Sequence, residues 1–129
     1  MMPLINDDLR GRSFGIWEGL NFGEINERYP EEFEAWTKNP DGFRPPAGET
    51  IMAVKERAIA AFNGIVAGHL GQTVAIVAHG GVNRIILCHL MGSPLENMFA
   101  IEQGYAGLNI IEFREKFPVV RLLNGCVNV

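Results

Sequence analysis

The residues with most chemistry in their arrangement lie in TVAIVAHGGVNRII, residues 73–86. Residues 73–78 are uncharged and rich in β-branched side chains, the pattern of a strand buried on both faces of a parallel sheet. His79 follows at the carboxyl end, where open α/β sheets bind their ligands. Gly80 and Gly81 allow backbone to approach a ligand closely. A helix begins there, and the free amides of its first turn favour an anion. A strand, a histidine and a glycine turn entering a helix suit a phosphate site, with Arg84 one turn further on and able to reach it. A plainer arrangement also fits: His79 capping the helix and Arg84 solvated on its surface.

Other side chains divide in the same way. Arg10, Arg12 and Arg44 could contact an acidic substrate, and equally could form surface ion pairs. Cys88 sits in an apolar stretch and reads as a small core residue. Trp17 and Trp36 suit core or lid packing better than substrate stacking.

The elements that would position these groups follow from local signals. Residues 1–20 read as irregular, broken by Gly11, Gly15 and Gly19, with Phe14 and Trp17 anchoring the stretch on a core. Asn21 and Glu24 mark a helix start, and Pro30 opens a second short helix through Trp36. NPDGFRPPAGE, residues 39–49, is a long loop, a kind that is disproportionately functional. Ile51, Val54, Ala58, Phe62, Ile65 and Val66 recur at helical spacing, which predicts an amphipathic helix over 50–68, ended by Gly68 and Gly71. Residues 82–91 predict a helix closed by Gly92. Ser93, Pro94 and Glu96 then read as a capping box with proline at the first helical position. Residues 109–113 and 119–123 predict two strands joined by a turn around 115–118. The strand over 73–78 has no parallel neighbour in this inventory, and a parallel strand needs one joined by a crossover. The expectation is that strands are missing before residue 1.

Composition narrows the partners. The 129 residues make one domain, and 47% hydrophobic with 20% charged residues is globular rather than disordered. A net charge of −4 argues against nucleic acid and against an anionic membrane surface, which need a basic patch. No membrane span and no signal peptide are visible. Cys88 and Cys126 form neither a disulfide framework nor a metal spacing, so a reducing cytoplasm is the expected location.

Several segments, in order, resemble one family. LRGRSFGIWEGL at 9–20, RYPEEFEAW at 28–36, FRPPAGET at 43–50 and VAHGGVNRIILCHLMG at 77–92, with the late segments GYAGLNIIEF and VVRLLN, are similar to the C-terminal portion of a histidine phosphatase. That superfamily includes the phosphoglycerate mutases, and within it the match is closest to the α-ribazole phosphatases of cobalamin biosynthesis. The resemblance implies an α/β, phosphoglycerate mutase-like three-layer fold with a parallel-type central strand and a late hairpin. Residues 1–129 would be a single, truncated domain of that kind lacking its N-terminal strands. It also implies a metal- and cofactor-independent phosphoryl transfer: one histidine attacks phosphorus, water then releases phosphate, and charge is held by a second histidine and arginines.

Carried over, His79 matches the second, phosphate-contacting histidine, and Gly80 the glycine whose amide can face the phosphate. The arginine-histidine-glycine motif of the nucleophile has no counterpart, since His69 and His89 lie in other contexts. Gly11 stands where the family carries its glutamate acid, and glycine donates no proton. Glu18 and Glu49 are candidate substitutes, although both also suit loop organisation. The expected function is therefore a phosphomonoesterase-family chain, taking a phosphate ester or inorganic phosphate, without turnover alone. A non-catalytic phosphate-binding or dimerisation module is the alternative, and phosphoglycerate mutase ranks below both. A homodimer that pairs or swaps the 73–78 region is the expected assembly.

Overall fold

The computed structural model describes residues 2–126. Those residues form four helices, three short segments of 3-10 helix and a hairpin. Helix α1 is Phe22–Arg28, and its start is a reciprocal capping box between Asn21 and Glu24. Helix α2, Pro30–Lys38, opens on proline, whose missing N–H costs nothing there. Helix α3, Ile51–Gly68, begins where the Thr50 hydroxyl accepts from the Ala53 amide at 3.0 Å. Helix α4, Gly80–Met91, begins at His79 and stops at Gly92, which takes the left-handed conformation at φ 66°.

The apolar stripes of α3 and α4 face each other. Ile51, Val54, Ala58 and Phe62 meet Val82, Ile85, Ile86, Leu87 and Cys88, and Met98 and Ile101 close the cluster. Burying each large side chain contributes about 2 kcal/mol over leaving it in water. A second, aromatic cluster holds the N-terminal third. Trp17 stacks on Phe43 at 5.1 Å and meets Trp36 edge-on at 6.3 Å. Phe22 and Phe33 pack on the same Trp36. Trp17 is thus the anchor that its sequence context suggests. Phe14 is not: its ring is 41% exposed, lying under the Arg12 guanidinium instead of in the core.

The late hairpin pairs β1, Leu108–Phe113, antiparallel with β2, Pro118–Gly125. Both strands are longer than the sequence reading by one to three residues, and Phe113 joins the α3 core through Phe62 at 6.0 Å. The expected capping box at Ser93 does not form. The Ser93 amide is spent on the Cys88 carbonyl at 2.9 Å, finishing α4. Pro94 becomes the cap of a 3-10 segment, Leu95–Ala100, with no side-chain cap bond.

Residues 73–78 have no parallel neighbour among the described residues, as the sequence inventory anticipates, and what changes is their burial. They leave the turn after α3 and run without any ladder partner, because the sheet among the described residues has two strands, β1 and β2. Ile76 and Ala78 lean on the α3–α4 core. The other face is bare: Val77 is 96% exposed, and Thr73 and Ala75 beside it are exposed too. An apolar strand is buried only where neighbouring strands and a covering layer exist, and the described residues supply neither.

Candidate functional site

The 73–78 segment delivers His79 to the first turn of α4. His79 is the N-cap residue of that helix by position, yet its side chain makes no capping bond. The capping alternative is therefore absent, and the imidazole is left free beside a cleft of about 550 Å3. The cleft is lined by Gly11, Arg12, Phe14 and Glu18 from the N-terminal stretch. Gly81, Arg84 and Ile85 from α4, with Met98 and Phe99 beyond it, line the facing wall. Such a volume is ordinary for a small-molecule site.

Gly11 lies directly against His79. A Cβ added there would meet the imidazole Cδ2 at 3.0 Å and Cγ at 3.3 Å. The position that the resemblance assigns to a proton donor is thus in contact with the histidine, but it carries no side chain. Glu18 lies on the cleft wall, where one of its oxygens accepts from the Phe14 amide at 2.7 Å.

Glu49 is engaged elsewhere. Its carboxylate accepts from Arg57 Nε at 2.9 Å and Nη2 at 3.0 Å, and from the Ser13 amide at 2.9 Å. The Arg57 hydrogen bonds first, and the Ser13 amide with them, hold its carboxyl down to about 2, with burial opposing. A carboxyl ionised at every working pH has no proton to give. Arg57 also donates to the carbonyls of Asp8, Arg10 and Gly11, so this pair fastens residues 8–13 onto α3. That sets Gly11 against His79. Nothing in the sequence singled out Arg57, because Glu49 precedes the cap of α3 and the pair is made only when the loop folds back on the helix.

The arginines separate by role. Arg12 spends its guanidinium on the carbonyls of Glu49 and Phe43, at 2.8 and 3.0 Å. Arg10 is half-exposed, donates to the Asp7 carbonyl and lies 3.8 Å from Glu49, a surface ion pair. Arg44 is exposed and outside the cleft lining. Arg84 is drawn in: its Nε donates to the Ile101 carbonyl at 2.8 Å, fixing the guanidinium across the cleft wall near the Phe99 ring. A Cβ at Gly80 would lie 3.2 Å from Arg84 Nη1, so the guanidinium curls back over the start of α4. Gly81 rather than Gly80 lines the cleft. Phe14 and Phe99, each beneath an arginine, are cleft residues that the sequence reading did not assign to a site.

His79, Arg84 and Gly81 of the first turn of α4 line the same cleft, groups of the kind that hydrogen-bond an anion. Neither other histidine lines the cleft; His69 sits at the end of α3, 2.8 Å from the Ile65 carbonyl. Among the described residues no three His, Cys, Asp or Glu side chains gather as metal ligands, and no helix is long and apolar enough to cross a membrane.

Comparison with known proteins decides the lineage. The pattern of the histidine phosphatase superfamily (branch 1) matches residues 2–125. The chain belongs to that superfamily. It is 29% identical over 110 residues to phosphoserine phosphatase 1 of Hydrogenobacter thermophilus, covering 85% of this chain and 52% of that protein. It is 27% identical over 120 residues to the adenosylcobalamin/alpha-ribazole phosphatase of Escherichia coli, covering 92% and 58%. The alpha-ribazole phosphatase structure from Shigella flexneri superposes with a TM-score of 0.87 at 25% identity, over 97% of this chain and 62% of that one. The fold is thus the α/β fold of the histidine phosphatases, and the chain spans little more than half the length of these curated relatives.

Proposed function

We propose that this chain carries the phosphate-receiving side of a histidine phosphatase site and does not turn over phosphate esters by itself. The observation behind this reading is the free imidazole of His79 on a cleft that also holds Arg84 and the start of α4. In the proposed reaction a histidine nitrogen attacks phosphorus, the leaving oxygen takes a proton, and water then cleaves the phosphorus–nitrogen bond. His79 and Arg84 would hold the phosphoryl oxygens while charge builds on them. The ligand class is a small phosphate ester, of which α-ribazole phosphate is the first to test, or inorganic phosphate.

Two features support the absence of turnover. No second histidine lines the cleft, and loss of a nucleophile alone removes several orders of magnitude in rate. The position beside His79 that should carry the acid is Gly11. Glu49 is held ionised in a structural pair, which leaves Glu18 as the carboxyl on the cleft wall.

The test joins binding to catalysis. Phosphate titrated into the chain should move the His79 ring resonances in the millimolar range, and His79→Ala should abolish the accompanying rise in melting temperature. Release of phosphate from α-ribazole phosphate or 4-nitrophenyl phosphate should stay at background. Hydrolysis that His79→Ala removes would overturn the inactivity, and unmoved His79 resonances would overturn the phosphate site.

A further inference from the structure

The stretch between the core and the late hairpin is held by side-chain amides. Ile101 belongs to the α3–α4 cluster, but Glu102, Gly104, Tyr105 and Ala106 after it are exposed, so apolar burial does not hold this loop. A reciprocal amide pair does. Asn109 Nδ2 donates to Gln103 Oε1 at 2.7 Å, and Gln103 Nε2 donates to Asn109 Oδ1 at 2.9 Å. Gln103 Nε2 also donates to the Glu102 carbonyl at 2.9 Å, and Asn109 Oδ1 also accepts from the Asn124 amide at 2.9 Å. Asn124 Oδ1 returns to the loop, accepting from the Gly104 amide at 2.8 Å. Asn124 makes these bonds at φ 51°, a left-handed conformation that asparagine tolerates better than most residues. Amides whose donors and acceptors are spent on one another fix orientation as well as distance.

The other side of the loop meets the start of α4. Arg84 Nε donates to the Ile101 carbonyl at 2.8 Å, two residues before Gln103. A Cβ added at Gly80 would lie 3.2 Å from Arg84 Nη1, 3.8 Å from Gln103 Cβ and 3.9 Å from the Gln103 carbonyl oxygen. The guanidinium and the loop backbone therefore close over one point, one residue beyond His79. An arginine side chain has many rotamers, and this bond orients it only as firmly as its acceptor is held. The Ile101 carbonyl is held from the hairpin through Gln103.

We propose that Gln103 is a positioning residue of the His79 cleft. Through its pair with Asn109 it ties the Ile101 carbonyl to β1 and β2, and so sets the Arg84 guanidinium beside His79. Gln103 does not line the cleft and acts through Arg84. That Arg84 then holds a phosphoryl oxygen rests on the phosphatase reading; the amide lock does not.

The experiment follows the full chain by NMR, reading the exchange of the Arg84 Nε proton with water. Gln103→Met removes the pair from the loop side, and Asn109→Ser removes it from the hairpin side, so one badly folded variant does not decide the result. Exchange should speed up at least about fivefold in both. Inorganic phosphate is the probe of binding. Gln103→Met should weaken it at least about threefold, and should weaken it by less than about 1.5-fold once Arg84→Ala is present, because nothing is left to act through. Unchanged Arg84 exchange in the folded variants would overturn the proposal. Equal weakening with and without Arg84→Ala would overturn it too, by assigning Gln103 a general role in the fold. Phosphate that leaves the wild-type His79 resonances unmoved would overturn the phosphatase reading alone, and Arg84 exchange would still decide the amide lock.

Discussion

Glu49→Gln tests how the cleft is held together. The carboxylate of Glu49 meets Arg57 at 2.9 Å, and the two side chains are only 18% and 12% exposed. In the folded chain its carboxyl is held down to about 2 from an ordinary 4.5. Fully counted, that difference is worth about 3 kcal/mol of stability at neutral pH. Solvent still reaches one edge of the pair, and discounting for that screening leaves about 2 kcal/mol. A group with a depressed folded value stabilises above its unfolded value and loses that contribution as pH falls toward its folded one. The wild-type chain should therefore lose this contribution between about pH 4.5 and pH 2. Glu49→Gln should already lack it at pH 7, and the gap between the two proteins should close through the same window. Urea denaturation followed by tryptophan fluorescence, at intervals from pH 7 to pH 3, measures it. Subtracting one protein from the other cancels the remaining carboxylates. A gap below about 0.5 kcal/mol at pH 7, or one that does not shrink on acidification, would refute the idea that this pair fastens residues 8–13.

Other consequences follow from the same geometry. Gly11→Glu places a side chain 3.0 Å from the His79 ring, so the imidazole should give by a few tenths of an ångström. Its NMR resonances should shift, while phosphate release by the chain alone stays at background. Gly15→Ala should destabilise by about 2 kcal/mol or more, since Gly15 sits at φ +55° and a Cβ would strike the Pro46 carbonyl oxygen; its urea midpoint is the measurement. Trp17→Phe should cost less than about 2 kcal/mol, whereas Trp17→Ala should cost about 3–5 kcal/mol. Trp17 is buried and its indole N–H has no partner, so phenylalanine removes an unsatisfied donor along with the volume. Equal losses for the two variants by thermal melt would contradict this.

Much of the architecture was legible locally. Asn21 with Glu24, Pro30 and Gly92 act on their own few residues, so each helix boundary they mark lies where the sequence places it. The stripe from Ile51 to Phe62 needs only helical periodicity to declare its buried face. Ser93 misled because its amide is claimed by the end of α4, a competition that the four-residue motif cannot display. Residues 73–78 lack a neighbour as the inventory anticipates, and only their burial departs from the pattern. Their composition states what a strand would bury if it had neighbours, and burial depends on the neighbours.

The site divides along the same line. Residue type and order point to His79 at a helix start and to a resemblance to the superfamily that the comparison establishes, and that resemblance sets Gly11 where the family carries its acid. Contacts across long stretches of sequence were decided only by the tertiary structure. Arg57 reaches back 46 residues to the Gly11 carbonyl, and Arg84 reaches forward 17 to Ile101. These partners engage Glu49 and two of the Arg12 nitrogens, while Arg12 and Arg84 both line the cleft with His79. Local sequence sets what a residue can do, because its bonds and its backbone preferences are local. Which of those capacities remain unspent depends on every group that folding brings within hydrogen-bonding distance.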